Sequence, residues 1–164
     1  MDNDLVQDER ITAIGLLSEA YAGLSARFGA QFAEHALAPV EFEVLLRLAR
    51  SPQGQLRMTD LSTQTGLTTS GITRVIDRLD RGGLVCRQAC ATDRRSSYAV
   101  ITASGRRRLA TVLPGHLALI DEWFTGRLTP TQLAALLDAL RVVRDAVRPG
   151  AAANSLSSGV PSGA

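Results

Sequence analysis

The chain has 164 residues, 45% of them hydrophobic, and a formal net charge of +2, which suits one domain with helical extensions. No run approaches the ~18 consecutive apolar residues of a membrane span. The opening MDNDLVQDER is acidic and polar, unlike a secretory signal, so the sequence reads as cytoplasmic, with no membrane contact.

Residues 5–34 are predicted as a long helix. Ile11, Ile14, Leu17, Tyr21, Leu24, Phe28 and Phe32 recur at three- and four-residue steps. That length exceeds the needs of a small domain and points to a partner helix. LAPVEFEVLLRLARSP predicts a second helix, begun at Pro39 or the residue before it and closed by Pro52. Phe42, Leu45, Leu46 and Leu48 or Ala49 form its apolar stripe. MTDLSTQTG predicts a short third helix, with Thr59 as N-cap, Asp60 in the first turn and Gly66 as its end. LTTSGITRVIDRLDRGG follows at once, capped by Thr68 or Thr69. Two helices joined by about three residues containing a glycine make a helix-turn-helix.

LVCRQ and SSYAVIT, rich in β-branched and aromatic residues, predict two strands around the polar loop ACATDRRS. Helix, turn, helix and hairpin form a winged helix. A fifth helix is predicted from about Ala103 to Phe124, capped by Thr102 and bent at Pro114. In the sixth, Thr129, Pro130 and Gln132 occupy N-cap, N1 and N3 of a capping box. Pro149-Gly150 stops it, and the uncharged tail AAANSLSSGVPSGA reads as low-complexity and disordered. The fold class is thus mainly α with a small β-hairpin wing.

The charge is uneven. Residues 57–108 hold ten arginines against four acids, a net of +6; the rest holds eight against twelve, a net of −4. Such a block suits a polyanionic partner, or a solvated charged surface. The fourth helix sharpens the choice. Ile72, Val75, Ile76 and Leu79 make one apolar side. Ser70, Thr73, Arg74, Asp77 and Arg81 share another, small and hydroxylated at its N-terminal end. Small residues let a helix backbone approach base edges, and Arg74 can grip a guanine at O6 and N7. Arg78 lies to one side and suits a phosphate. Asp77 is expected to steady Arg74 or Arg81 by i±3 or i±4 pairing. Asp93, Arg94 and Arg95 fall at the predicted wing tip, where an arginine can enter a narrow minor groove. Asp93 is expected to pair with an arginine there, Arg95 for instance. Double-stranded DNA is the partner this pattern fits.

The order MTDLSTQTGLTTSGITRVIDRLDRGGLV…TDRRSSYAVITASG resembles the MarR family of bacterial transcription regulators over roughly residues 5–147. The family's wing motif, D-x-R followed by L-T, has its counterparts at Asp93-Arg94-Arg95 and Ile101-Thr102. The resemblance implies a homodimer, most often a repressor, whose first and last two helices interlock with the partner copy. It implies release from DNA by a small phenolic or anionic effector. It divides the chain into a dimerisation helix over 1–36, a winged-helix DNA-binding domain over 37–102, dimerisation helices over 103–148 and the tail over 149–164. By position it favours Thr69, Ser70, Thr73 and Arg74 on the recognition helix, and Arg95 in the minor groove; Thr68, at the helix start, is a further DNA-binding candidate.

Other readings stay open. Cys86 and Cys90, the only cysteines, would serve an oxidant-sensing repressor if an arginine nearby favoured a thiolate; small filler in the strand and loop is the plainer role. A winged helix used only for protein contact would not need arginines at its tip. His35 and His116 suit structural places, or a ligand contact. Arg106, Arg107 and Arg108 suit phosphate contact and a solvated face equally. No catalytic arrangement, phosphate-cradling glycine loop or zinc spacing occurs, so neither an enzyme nor a cofactor is expected.

Overall fold

The computed structural model describes residues 3–89 and 97–152. A single turn, Asn3–Val6, precedes helix α1, Glu9–Glu34. The long helix therefore starts later than its apolar pattern suggests, because Asp8 caps it by accepting the Arg10 backbone N–H at 2.8 Å. Helix α2 is Pro39–Arg50. Its N-cap, Ala38, has no acceptor side chain, but the Glu41 carboxylate accepts the Ala38 N–H at 2.8 Å.

A short strand absent from the sequence reading follows: β1, Gln55–Arg57. Helix α3, Met58–Thr65, springs directly from it. Thr59 is therefore inside the helix and not its N-cap. Arg57, held extended by pairing with Tyr98, occupies the cap position, and its side chain does not cap the helix. The Thr59 carbonyl instead accepts the Thr63 hydroxyl at 3.1 Å. Gly66 ends α3 at φ +70°, a left-handed conformation that favours glycine.

Helix α4, Thr69–Arg81, is capped by Thr68, whose hydroxyl accepts the Gly71 N–H at 3.1 Å; this settles the choice between Thr68 and Thr69. Strands β2, Val85–Ala89, and β3, Ser97–Ile101, pair antiparallel, and the sheet order is β1-β3-β2. Helix α5, Ala103–Trp123, is capped by Thr102 and runs continuously through Pro114. A Cβ at Gly105 would strike the Leu84 carbonyl, so glycine there lets α5 press against the entry to β2. Helix α6, Pro130–Val147, shows the expected capping box: Thr129 and Gln132 exchange backbone-to-side-chain bonds of 3.0 and 3.3 Å. Pro149–Ala152 then forms a short 3-10 turn. The rest of the tail lies outside the described residues.

The core sits in the winged helix. Val44, Leu45 and Leu48 of α2, Leu61 of α3 and Ile72 and Ile76 of α4 are fully buried, joined by Val85 of β2 and Val112 of α5. Phe32 of α1 stacks on Phe42 of α2 with ring centroids 4.4 Å apart, tying the long helix to this core. The opposite end of α1 is bare. Ile11, Ile14, Leu17 and Tyr21 are exposed, as are Leu117 of α5 and Val142, Val143 and Val147 of α6, and no α6 residue is buried. No helix among the described residues is long and apolar enough to cross a membrane.

Candidate nucleic-acid interface

Helix α4 presents the two faces its sequence implies. Ile72, Val75, Ile76 and Leu79 are at most 5% exposed and fix the helix on α2 and α3. Thr69 and Ser70 stand exposed in the first turn, at the positive end of the helix dipole where anions are favoured. The Thr68 hydroxyl also meets that of Ser70 at 3.2 Å. Thr73 is half-buried and donates to the Thr69 carbonyl at 2.8 Å. Gly71, Arg74, Val75, Asp77, Arg78 and Arg81 line a shallow, open depression along the outer side of the helix.

The arginines on this face are in different states. Arg74 has neither an ion pair nor a hydrogen bond among the described residues. Arg78 pairs through Nε with Glu41 at 3.0 Å, so one edge of the guanidinium expected at a phosphate is already held by α2. Arg81 donates to the Asp77 backbone carbonyl at 3.2 Å. Asp77 does not pair with Arg74 or Arg81, as i±3 and i±4 spacing suggested. Its carboxylate takes Arg87 of β2 at 2.6 Å, and the same guanidinium reaches the Thr73 carbonyl at 3.3 Å. The strand runs beside the helix and brings the Arg87 guanidinium to this carboxylate.

The sequence reading passed over Arg87, although a signal existed. Val85 is buried against the core, and Arg87, two residues on, points to the same side of the strand. A charge on that side must find a partner, and Asp77 is the acid that α4 offers. With Arg87 satisfying Asp77, Arg74 has no ion pair among the described residues.

Asp93, Arg94, Arg95 and Cys90 lie outside the described residues. Among the described strands, Arg57 of β1 donates to the Tyr98 hydroxyl of β3 at 3.2 Å. Cys86 is a free, half-buried thiol opposite Val100. The arginines at the start of α5 divide. Arg108 donates to the His35 carbonyl at 2.7 Å and so ties α5 to the end of α1, a structural place. Arg107 donates to Ser104 at 2.9 Å, while Arg106 lies over Gly54. His116 is packed among Phe28, Phe32 and Phe42, with centroid separations of 4.7–4.9 Å. Burial there pushes its pKa below the ordinary histidine value. Among the described residues no cluster of His, Cys, Asp and Glu is placed to hold a metal ion.

A small exposed helix turn, a free arginine one turn on, and a braced strand pair beside it form a surface that can follow a groove of nucleic acid. Known proteins agree. Residues 37–96 match the profile of the MarR family. The chain is 35% identical over 107 residues to the HTH-type transcriptional regulator MhqR of Bacillus subtilis, covering 65% of this chain and 72% of the relative. Its fold matches Sco3205, a MarR family transcriptional regulator from Streptomyces coelicolor solved in complex with DNA. The TM-score is 0.80 at 31% identity, over 86% of this chain and 89% of that one. It also matches Bordetella bronchiseptica BpsR, described for regulation of its DNA binding by 6-hydroxynicotinic acid. There the TM-score is 0.70 at 27% identity, over 80% and 91% of the two chains. The chain therefore belongs to the MarR family of winged-helix transcriptional regulators.

Proposed function

We propose that this protein is a cytoplasmic, homodimeric repressor that reads a specific DNA site with α4 and is released from it by a small phenolic or anionic effector. The observation that carries the reading is the free Arg74 guanidinium, one turn behind the exposed Thr69 and Ser70. In this reading α4 enters the major groove. Thr69 and Ser70 permit close approach, Thr68 holds the first turn in shape, and Thr73 and Arg74 face base edges. Arg78 meets a flanking phosphate with the edge that Glu41 leaves open. Asp93, Arg94 and Arg95 take the wing to the adjacent minor groove. The exposed apolar residues of α1, α5 and α6 fit a second copy of the chain, because a solvated stripe of that size marks an interaction surface. The solved DNA complex of Sco3205 and the ligand-controlled binding of BpsR support DNA and effector as partners.

The test compares wild type with Arg74→Ala on a duplex enriched from random DNA by the wild-type protein. Arg74→Ala should weaken that site by about 1–3 kcal/mol and relax base choice at one position, leaving random DNA almost unaffected. Equal weakening on both duplexes would make Arg74 a phosphate contact and overturn its base-reading role.

A further inference from the structure

The end of α6 is fastened to the helix-turn-helix. Arg148 leaves the helix with φ −145° and ψ 64°. Its Nη2 donates to the Gln64 carbonyl at 3.1 Å. That carbonyl is one of the orphan acceptors at the C-terminus of α3, the negative end of the helix dipole, where a guanidinium is well placed. The Gln64 side chain is buried at 1% exposure and is held from the other side by Arg47 of α2, Nη1 to Oε1, at 3.5 Å. Gln64 is thus grasped between the DNA-reading unit's own α2 and the far end of the helical scaffold.

Two glycines mark how closely the parts fit. A Cβ on Gly66, at the turn of the helix-turn-helix, would stand 2.8 Å from Arg148 Nη2. A Cβ on Gly150 would collide with Thr63 Cγ2 on α3. The turn Pro149–Ala152 is closed by the Ala151 N–H on the Arg148 carbonyl at 3.0 Å. It therefore presses on α3 at a second point, independent of the arginine. The low-complexity reading of the tail missed this, because glycine and alanine look like filler until something is found to lie against them.

We infer that Arg148 and the turn behind it form a clamp that fixes the angle between the helical scaffold and the helix-turn-helix. Arg148 is thereby a positioning residue for DNA reading. A recognition helix reaches base edges only if its orientation is set by the body that carries it. Apart from this clamp, α1 and α5 meet the winged helix through the Phe32–Phe42 stack, the Phe42–His116 contact and the buried Leu109 and Val112, whereas no residue of α6 is buried. With no buried residue of its own, α6 needs a hold at its end to keep its angle to the helix-turn-helix. The inference depends on the DNA-binding assignment only for its consequence; the clamp itself is tested without DNA.

The test places two nitroxide spin labels in one full-length chain, at Asp80→Cys on α4 and Asp138→Cys on α6, with Cys86 and Cys90 changed to Ser. The labelled protein is diluted with unlabelled protein, so that double electron–electron resonance reports the distance within a chain. A single narrow distribution is expected. Arg148→Ala and, separately, Gly150→Ala should each broaden it at least twofold, with Arg148→Lys recovering most of the sharpness and the thermal midpoint little changed. Broadening should be accompanied by at least a tenfold loss of affinity for the enriched duplex, with random DNA bound as before. An unchanged width in both variants overturns the clamp. A broadened width with undiminished specific affinity overturns the positioning role.

Discussion

The winged helix and the helical scaffold of this chain are built from similar residues but complete themselves differently. The winged helix closes on Leu45, Leu48, Leu61, Ile72 and Ile76, all fully buried. The scaffold leaves Tyr21 and Val142 at 72% exposure and Val147 at 70%. The same aliphatic periodicity thus produces a core in one region and an open face in the other. The winged helix can bury its stripes within one chain, because α2, α3, α4 and the sheet surround a common centre. The scaffold helices reach that centre through Phe32, Leu109 and Val112, but the outer parts of their stripes meet solvent. Each uncovered Leu- or Val-sized side chain forgoes about 1.5–3 kcal/mol of burial, which a second copy of the chain would restore.

Leu61→Ala should break the self-contained half. Removing a fully buried side chain among α2, α3 and α4 should cost about 2–5 kcal/mol, read from the urea midpoint and slope. A loss below about 1 kcal/mol would show that the core is not closed as described. Paired changes on the open half, Ile14→Glu with Val143→Glu, should leave the winged helix folded but weaken self-association at least tenfold, ~1.4 kcal/mol. Sedimentation equilibrium measures this, and an undisturbed dimer would place the interface elsewhere.

Asp77→Ala probes the proposed DNA surface within the winged helix. The Asp77–Arg87 pair is substantially exposed, so its loss should cost only about 0.2–1 kcal/mol of stability. It frees Arg87, however, and the helix loses its brace to the wing strand, so specific affinity should fall more than stability does. A fall in stability alone would reduce the pair to an ordinary surface contact. The smallest effect concerns pH. Burial among three phenyl rings depresses the His116 pKa, so the folded protein takes up its proton later than the unfolded chain as pH falls. This contribution should be neutral well above the ordinary value of 6.5. Stability should be lost as pH drops through that value, levelling off below the folded-state pKa. His116→Phe should flatten the decline in thermal midpoint between pH 7.5 and 5; identical slopes would show that another group governs it.

Much of the winged helix was legible in the sequence because its signals are local. The α4 faces follow from 3.6-residue periodicity, and Thr68, Thr102 and Thr129 cap helices through bonds to residues three positions away. Features that depend on distant segments were not. Strand β1 is three residues long and exists because β3 pairs with it, and that pairing moved the start of α3 away from Thr59. Asp77 had two local candidates, yet it chose Arg87 across the turn. Arg78 looked free until α2 brought Glu41 beside it. On α1 the periodicity of Ile11 to Phe32 was correct as a helix signal, but it does not say whose core the stripe enters. The wing tip, with Asp93, Arg94 and Arg95, rests on sequence.

On the proposed function, the α4 surface reads DNA by sequence. Fluorescence anisotropy with the DNA upstream of the protein's own coding sequence, against a scrambled duplex of the same composition at two salt concentrations, tests it most directly. Tight binding is expected that prefers the upstream duplex and weakens on both as salt rises, through release of counterions from the phosphates. Equal, salt-sensitive binding to both would remove autoregulation and send the search for the site elsewhere in the genome. Absence of binding to either duplex at low salt would overturn DNA reading by this surface.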